Sequence, residues 1–404
     1  MKDREELPDY TGMALPNRGA PDVTFLLLVL LLTATGLVML FSASYPTALQ
    51  EGGPAASYFY RQLRFAVPGL LLMYVISRVD YHILKRYAKP LLLFSVVLLV
   101  LVTFKKIGVY HNGARRWLSF FGLFEFQPSE IAKLGVVVDF SASVAGKQNR
   151  MKSFRDGVWP YLWKLGIIGV LMMREPHLSG TILILCAGAA ILFVGGLDWK
   201  WILLGIGVAA LGIALMLLGV IPYGQDRIEV WRDPFALRYA GGFQVVQSIL
   251  AIGSGGLTGV GLGNSRQKML YLPEPENDFV FAIVCEELGL IGAALILALF
   301  ALLVVKGYLI AMRARDRFGN LLVTGITTLL ALQVFLNVGV VTGFLPDTGI
   351  SLPFFSYGGT ALIMQLAEMG IVLSVSRQCV YREDVEEEKK KTPASARRGL
   401  NKEE

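Results

Sequence analysis

Apolar residues in this chain fall into long blocks separated by short polar gaps. The blocks match the thickness of a bilayer better than the core of a soluble domain. One run covers 23–40, another 90–104 and a third 181–196. About 20 consecutive apolar residues cross the hydrocarbon as a helix, and a backbone in lipid must satisfy its own hydrogen bonds, so such runs read as membrane helices. The pattern predicts ten spans: 23–45, 60–77, 90–107, 128–146, 158–174, 179–196, 199–221, 279–310, 320–343 and 357–376. The eighth is longer than one crossing needs, so it should tilt or project into water. Small residues at Ser42-Ala43-Ser44 resemble a signal-cleavage site, but the preceding apolar stretch is too long and follows a tail, so it reads as the first span. The expected fold is an all-α polytopic membrane protein of about ten transmembrane helices. One large extracellular loop, about 222–278, lies between helices 7 and 8. A tail at 1–22, a membrane domain at 23–380 and a charged tail at 381–404, poor in apolar residues and expected to be disordered, complete the chain. No internal repeat is visible.

Composition agrees: 54% of the 404 residues are hydrophobic and 17% charged, too little polar surface for a soluble chain of this length. The net charge of +7 raises nucleic-acid binding. The basic residues, however, are scattered through the gaps, as topology signals should be, so no nucleic-acid partner is expected. Arg78, Lys85, Arg86 and Lys89 mark one inner loop, Lys147, Arg150, Lys152 and Arg155 a second, and Lys306, Arg313, Arg315 and Arg317 a third. Together with Lys389, Lys390, Lys391, Arg397 and Arg398 they place both termini in the cytoplasm. Two outer loops break the rule. One carries Lys105, Lys106, Arg115 and Arg116; the other carries Arg227, Arg232, Arg238, Arg266 and Lys268. Long loops translocate regardless of charge, but the first of these reads better as an outward-facing site for an anionic group.

Cys186, Cys285 and Cys379 form no CxxC, and His82, His111 and His177 have no ligand spacing, so the metal ligands are unknown. Gly253, Gly255, Gly256, Gly259, Gly261 and Gly263 allow tight turns and close approach of backbone to a ligand, with only a weak likeness to a phosphate loop.

Ionisable residues at membrane depth are functional candidates by default. In 127–133, Pro128 suits a first helical turn, Ser129 is placed to cap it, and Glu130 and Lys133 share one face. They form either a packing ion pair or the lining of an outward cavity. Asp278 precedes the eighth span, as a helix cap or as a general base at the membrane surface with a raised pKa. Glu286 and Glu287 lie two turns on and are placed to face the same cavity. Gln333 and Asn337 share a face and read equally well as interhelical hydrogen-bond glue.

Six stretches, in order, resemble the SEDS family (shape, elongation, division and sporulation; FtsW, RodA, SpoVE). They are Asn112-Gly-Ala-Arg-Arg-Trp117, Phe126-Gln-Pro-Ser-Glu-Ile-Ala-Lys133, Gln247-Ser-Ile-Leu-Ala-Ile-Gly-Ser-Gly-Gly-Leu257, Tyr271-Leu-Pro-Glu-Pro275 with Asp278-Phe279, Glu286-Glu-Leu-Gly289 and Leu345-Pro-Asp-Thr-Gly-Ile-Ser-Leu-Pro-Phe-Phe-Ser-Tyr-Gly-Gly359. The resemblance implies a peptidoglycan glycosyltransferase of the bacterial inner membrane, polymerising lipid II in division, sporulation or elongation. It implies a class B penicillin-binding protein as partner, alongside lipid II and membrane lipid. A divalent cation, Mg²⁺ or Mn²⁺, is its candidate cofactor. It assigns catalysis to Asp278 and substrate binding to Arg115, Arg116, Glu130, Lys133, Ser254, Lys268 and Glu286. The chain departs from the family with Glu276-Asn277 before the aspartate and with Glu175-Pro-His-Leu-Ser-Gly-Thr181, which lacks an aspartate the family often has there. Asp139, within the fourth span, matches no motif. In the implied mechanism Asp278 deprotonates the acceptor hydroxyl and the cations stabilise a departing pyrophosphate, with inversion. A lipid II exporter and a recruiting scaffold are the rival readings.

Overall fold

The computed structural model describes residues 19–104, 107–111, 114–120, 124–147, 150–175, 177–218 and 225–379. Lys105, Lys106, Asn112, Gly113, residues 222–224 and both outermost tails, with the disorder expected of 381–404, lie outside the described residues. Ten helices overlap the ten expected spans: α1 (Val23–Gln50), α2 (Ser57–Arg78), α3 (His82–Val102), α4 (Pro128–Ala145), α5 (Trp159–Arg174), α6 (Leu178–Val194), α7 (Trp199–Leu217), α10 (Val280–Met312), α11 (Arg317–Val341) and α12 (Gly359–Ser376). Two more, α8 (Gln225–Arg232) and α9 (Phe243–Gly255), lie in the long loop. Five, namely α1, α7, α10, α11 and α12, are by length and composition alone able to cross a membrane. This is an all-α polytopic membrane fold.

The helices sort by what surrounds them. α4 packs against α3, α6 and α11, α12 packs on α2, and α1 packs on α10 and α2. α11 is buried along most of its length. None of α7's residues is buried, although the helix is apolar. A helix that is apolar all round and touches little protein is solvated by lipid. Exposed Leu71 of α2 and Leu295 of α10 complete the apolar exterior.

Three features depart from the periodicity. α3 begins at His82, ahead of the expected 90, because hydropathy misses the basic turn 82–89 that continues the helix past the apolar run. The 108–127 stretch, read as an outer loop, contains strands β1 (Gly108–His111), β2 (Ala114–Phe120) and β3 (Phe124–Phe126) in one antiparallel sheet. The long eighth span is broken at Gly289, whose φ of 67° and ψ of −170° are not helical.

At that break the glycine-rich loop acquires its role. Val260 and Gly261 donate their amides to the carbonyls of Glu286 and Glu287 at 3.0 and 3.1 Å, while Leu290 and Ile291 donate to Gly256 and Leu257 at 2.9 and 3.1 Å. Backbone groups freed by the break are thereby satisfied, as membrane depth demands. A Cβ at Gly289 would lie 2.3 Å from the Gly259 nitrogen, and one at Gly255 2.1 Å from the Cys285 oxygen. The close backbone approach expected of these glycines is therefore to α10, not to a ligand.

Asp139 of α4 pairs with Lys164 of α5 at 2.6 Å, with side-chain exposures of 3% and 18%. It ties two helices together. At one end of the bundle Asp22 receives Lys306 at 3.0 Å, its amide donates to Ser376, and Arg377 donates to the carbonyls of Gly19 and Ser77. The opposite end carries polar side chains of the sequence motifs, Arg116 and Asp278 among them.

Candidate functional site

The sheet decides which of two adjacent arginines faces the bundle. The register with β1 shifts between Val109 and Tyr110, which pair with Trp117 and Arg115, so Arg116 is the extra residue of a β-bulge, a feature that re-aims a side chain. Leu118 is 5% exposed and packs with Leu98 and Val102 of α3. Arg116 Nε donates to the carbonyl oxygen of Glu175 at 3.0 Å. Arg115 pairs in register with Tyr110, and its guanidinium lies 5.5 Å from that ring's centroid. Both were expected to bind substrate; only Arg116 is brought to the bundle side.

Beneath Arg116 lies the turn between α5 and α6. Glu175 is 1% exposed, and among the described residues neither carboxylate oxygen has a hydrogen-bond partner. Burial raises its pKa to about 8 against the opposing pull of Arg116. His177 sits 3.4 Å from Gln127 Nε2, and burial, helped by Arg116 and Lys133, pushes its pKa down to about 3, so the ring is neutral. Gln127 precedes α4, whose first turn holds Pro128 as expected. Ser129 does not cap that helix: its hydroxyl is buried without a partner. Glu130 and Lys133 form an ion pair at 2.8 Å, with side-chain exposures of 12% and 6%. Glu368 of α12 lies within electrostatic reach of both.

Asp278 is half-buried at the entrance to α10. Its capping alternative fails, because the N-cap residue is Phe279 and no side chain caps this helix. Asn337, fully buried in α11, donates to the carbonyls of Asp278 at 2.8 Å and Ile350 at 2.6 Å. Gln333 donates to the Ser351 carbonyl at 3.1 Å. The two amides expected to be interhelical glue instead hold the α11–α12 loop and the backbone of Asp278. Gln62 of α2 braces the same loop from across the bundle, donating to the Ser356 carbonyl at 3.2 Å and accepting from the Gly358 amide at 3.2 Å.

No hydrogen bond from a described residue reaches the Asp278 carboxylate. Burial raises its pKa to about 7; Asp347 and Glu274 push the same way, and Arg116 and Arg227 oppose them. Asp347 is held by its own loop, accepting the Gly349 amide at 3.0 Å, while Arg227 of α8 donates to the Asp347 carbonyl at 2.9 Å. Gly349 has φ of 65°, and a Cβ there would approach Asp278 Oδ2 to 3.4 Å. Glycine thus both suits the backbone and leaves room beside the carboxylate.

The remaining expected substrate contacts do other things. Glu286, 1% exposed, accepts the Ser265 hydroxyl and the amides of Arg266 and Gln267 at 3.0 and 3.3 Å. Lys268, with no exposed surface, meets Glu287 at 2.6 Å and Ser42 at 2.9 Å. Ser254 donates to the Ala251 carbonyl of its own helix at 2.9 Å. In this arrangement Lys268 and Glu286 fasten the 260–272 loop to α10 and α1. Their spacing carried no signal of this, because burial is set by the break at Gly289.

Sequence reasoning passed over Asp347 and Gln127 as site residues. Glu175 and His177 figured only as a motif departure, and two ionisable residues so close at a turn between apolar spans were the available signal. Among the described residues no group of three or more His, Cys, Asp or Glu side chains is arranged to hold a metal ion.

What gathers here is a weakly acidic carboxyl open to ligand, a buried second acid, and the cations Arg116 and Lys133. This arrangement can bind an anion and remove a proton from a neighbouring hydroxyl. A family model described as "Cell cycle protein", that of FtsW, RodA and SpoVE, matches residues 22–381. The chain is similar to stage V sporulation protein E of Bacillus subtilis, 39% identical over 363 residues covering 90% of this chain and 98% of that one. It is also similar to a probable peptidoglycan glycosyltransferase FtsW of Geobacter metallireducens, 40% identical over 355 residues, 88% and 94% of the two chains. Among solved structures it resembles a chain of a peptidoglycan synthase complex described as coordinating polymerization and crosslinking, with TM-score 0.73 and 32% identity over 89% of this chain and 98% of that chain. It also resembles the rod shape determining protein RodA of Thermus thermophilus, with TM-score 0.66 and 30% identity over 91% and 100%. Six motifs in order, a shared fold and a match from 22 to 381 lead to one assignment: the chain belongs to the FtsW/RodA/SpoVE family, the SEDS proteins.

Proposed function

We propose that this chain is a peptidoglycan glycosyltransferase that polymerises lipid II, with Asp278 as general base and Arg116 and Lys133 as the cations that receive the pyrophosphate. The observation that carries the reading is the state of Asp278. It is half-buried, receives no hydrogen bond from a described residue, is held by its backbone through Asn337, and has a pKa near 7. A base works best when its pKa lies near the working pH. The mechanism needs the acceptor sugar hydroxyl within hydrogen-bond reach of Asp278. The carboxylate takes the hydroxyl proton, and the oxygen bonds to the donor's anomeric carbon. The bond from that carbon to the lipid pyrophosphate then breaks with inversion. Charge developing on the pyrophosphate is stabilised by Arg116 and by Lys133. Lys133 is paired with Glu130, so it is positioned before substrate arrives.

This is a multi-pass membrane protein. A place in the inner bacterial membrane, with both termini cytoplasmic, is supported by the basic loops and by their position opposite the site: Lys306 and Arg377 gather at one end, Arg116 and Asp278 at the other. The site would then open to the outer face, where a partner supplying the transpeptidase, a class B penicillin-binding protein, can receive the glycan. The likeness to one chain of a synthase complex supports that partnership.

The test is polymerisation in vesicles whose labelled lipid II is confined to the leaflet that the site faces. Glycan made without any lipid II in the opposite leaflet is the expected outcome. Loss of label to the opposite leaflet with no glycan would replace the enzyme with a transporter.

A further inference from the structure

The mechanism above leaves one buried acid unused. Glu175 is 1% exposed, both of its carboxylate oxygens lack a partner among the described residues, and it lies against the residue that the site depends on, Arg116. An ionised carboxylate in that position, out of water and without a donor, would be several kcal/mol unfavourable. Arg116 Nε is directed to the backbone carbonyl of Glu175, not to its carboxylate. A second buried acid next to a phosphate-binding arginine would repel the phosphate if charged and would bind it if neutral.

We propose that Glu175 is a substrate-binding residue whose neutral carboxyl donates a hydrogen bond to the lipid-linked pyrophosphate beside Arg116. The inference rests on the glycosyltransferase reading for the identity of the ligand. Its geometry is independent of Asp278. A ligand phosphate oxygen would satisfy a carboxyl group that the protein leaves without a partner, and buried polar groups are satisfied in all but a few cases. The charged surroundings fit. Arg116 of β2 acts on Glu175 directly, and Arg116 and Lys133 of α4 both act on His177, two residues on. Lys133 is in turn paired with Glu130 and felt by Glu368 of α12. His177 stays neutral and so adds no cation that would ionise Glu175. Burial accordingly keeps Glu175 protonated to about pH 8, against the pull of Arg116.

The consequence is a binding step that weakens in alkali. If only the neutral form binds, the apparent affinity falls with the neutral fraction, which drops about tenfold between pH 7 and pH 9 for a group titrating near 8. The test uses the full chain in detergent or nanodiscs with polyprenyl pyrophosphate as the probe, measuring its dissociation constant from about pH 6 to about pH 9.5. Wild type should weaken about tenfold from pH 7 to 9. Glu175→Gln, which keeps a neutral donor of the same shape, should bind within about threefold of wild type at pH 7 and lose most of the alkaline weakening. Glu175→Ala should bind more weakly at every pH, without the alkaline step. A protonated-carboxyl infrared band that is present in wild type, absent from Glu175→Gln and shifted by the probe reports the same contact without relying on stability. An unchanged alkaline step in Glu175→Gln, or a carboxyl band indifferent to the probe, would overturn the proposal. Polymerisation by wild type at pH 7 would persist in either case, so the enzyme reading and this one fail separately.

Discussion

Glu287 offers a quantitative test of how the outer loop is held. Its carboxylate receives Lys268 at 2.6 Å and the Ser42 hydroxyl at 2.8 and 2.7 Å, and all charge-bearing atoms of the pair are out of solvent. Replacing Glu287 with Gln keeps the shape but leaves the Lys268 ammonium with the Ser42 hydroxyl and, 4.8 Å away, the Tyr45 ring. Breaking one side of a buried pair costs about 3–5 kcal/mol. The loop has an alternative that the bundle lacks: it can lift off α10 and carry Lys268 into water. The penalty should therefore appear as local opening. About 4 kcal/mol corresponds to roughly a thousandfold rise in the open population. Hydrogen exchange at the Val260 and Gly261 amides, which bond to Glu286 and Glu287, reads this directly. In Glu287→Gln those amides should exchange about 10²–10³ times faster, with α4 and α11 unchanged. Lys268→Met added to Glu287→Gln should recover most of the protection, since both charges are then gone. Acceleration of less than about tenfold in the single variant would refute the view that this pair holds the loop.

Other outcomes follow from the same geometry. Gly289→Ala would strain a φ of 67° and drive a Cβ to 2.3 Å from the Gly259 nitrogen, so folded yield in detergent should fall sharply, while Gly253→Ala, with open space around it, should be tolerated. Arg116→Lys should lower polymerisation by about 10²-fold or more, whereas Arg115→Lys should change it by less than about threefold. The rate should rise from pH 6 to pH 8 with a midpoint near 7 as Asp278 loses its proton. Stability should run the other way. Asp278 holds its proton longer folded than unfolded, so above the usual carboxylate range stability is lost as pH rises towards 7. Asp278→Asn should therefore raise Tm relative to wild type at pH 8 and leave it near wild type at pH 3.5.

Much of the fold was legible because lipid imposes one rule on every crossing segment. Apolar blocks at 23–45 and 199–221 correspond to α1 and α7 with little ambiguity. What escaped were elements whose cause is tertiary. β1 to β3 are short and mixed in polarity, so no run reveals them. Gly289 breaks α10 only because the 256–261 backbone takes over its hydrogen bonds, a partnership between segments 30 residues apart in sequence. Within the site, Asp278, Arg116 and the Glu130–Lys133 pair were readable from the motifs. The separation of Arg115 from Arg116 needed the bulge in β2, and the internal engagement of Lys268 and Glu286 needed to know what is buried. Glu175 was visible as a departure, but its missing partners were not.

The central claim is that Asp278 performs the chemistry. Its most direct test is polymerisation of labelled lipid II by wild type and Asp278→Asn, each purified as a folded complex with its cognate penicillin-binding protein. Glycan strands from wild type and none from Asp278→Asn, with lipid II affinity retained within about threefold, are the predicted result. Glycan from the folded Asp278→Asn complex at the wild-type rate would contradict it.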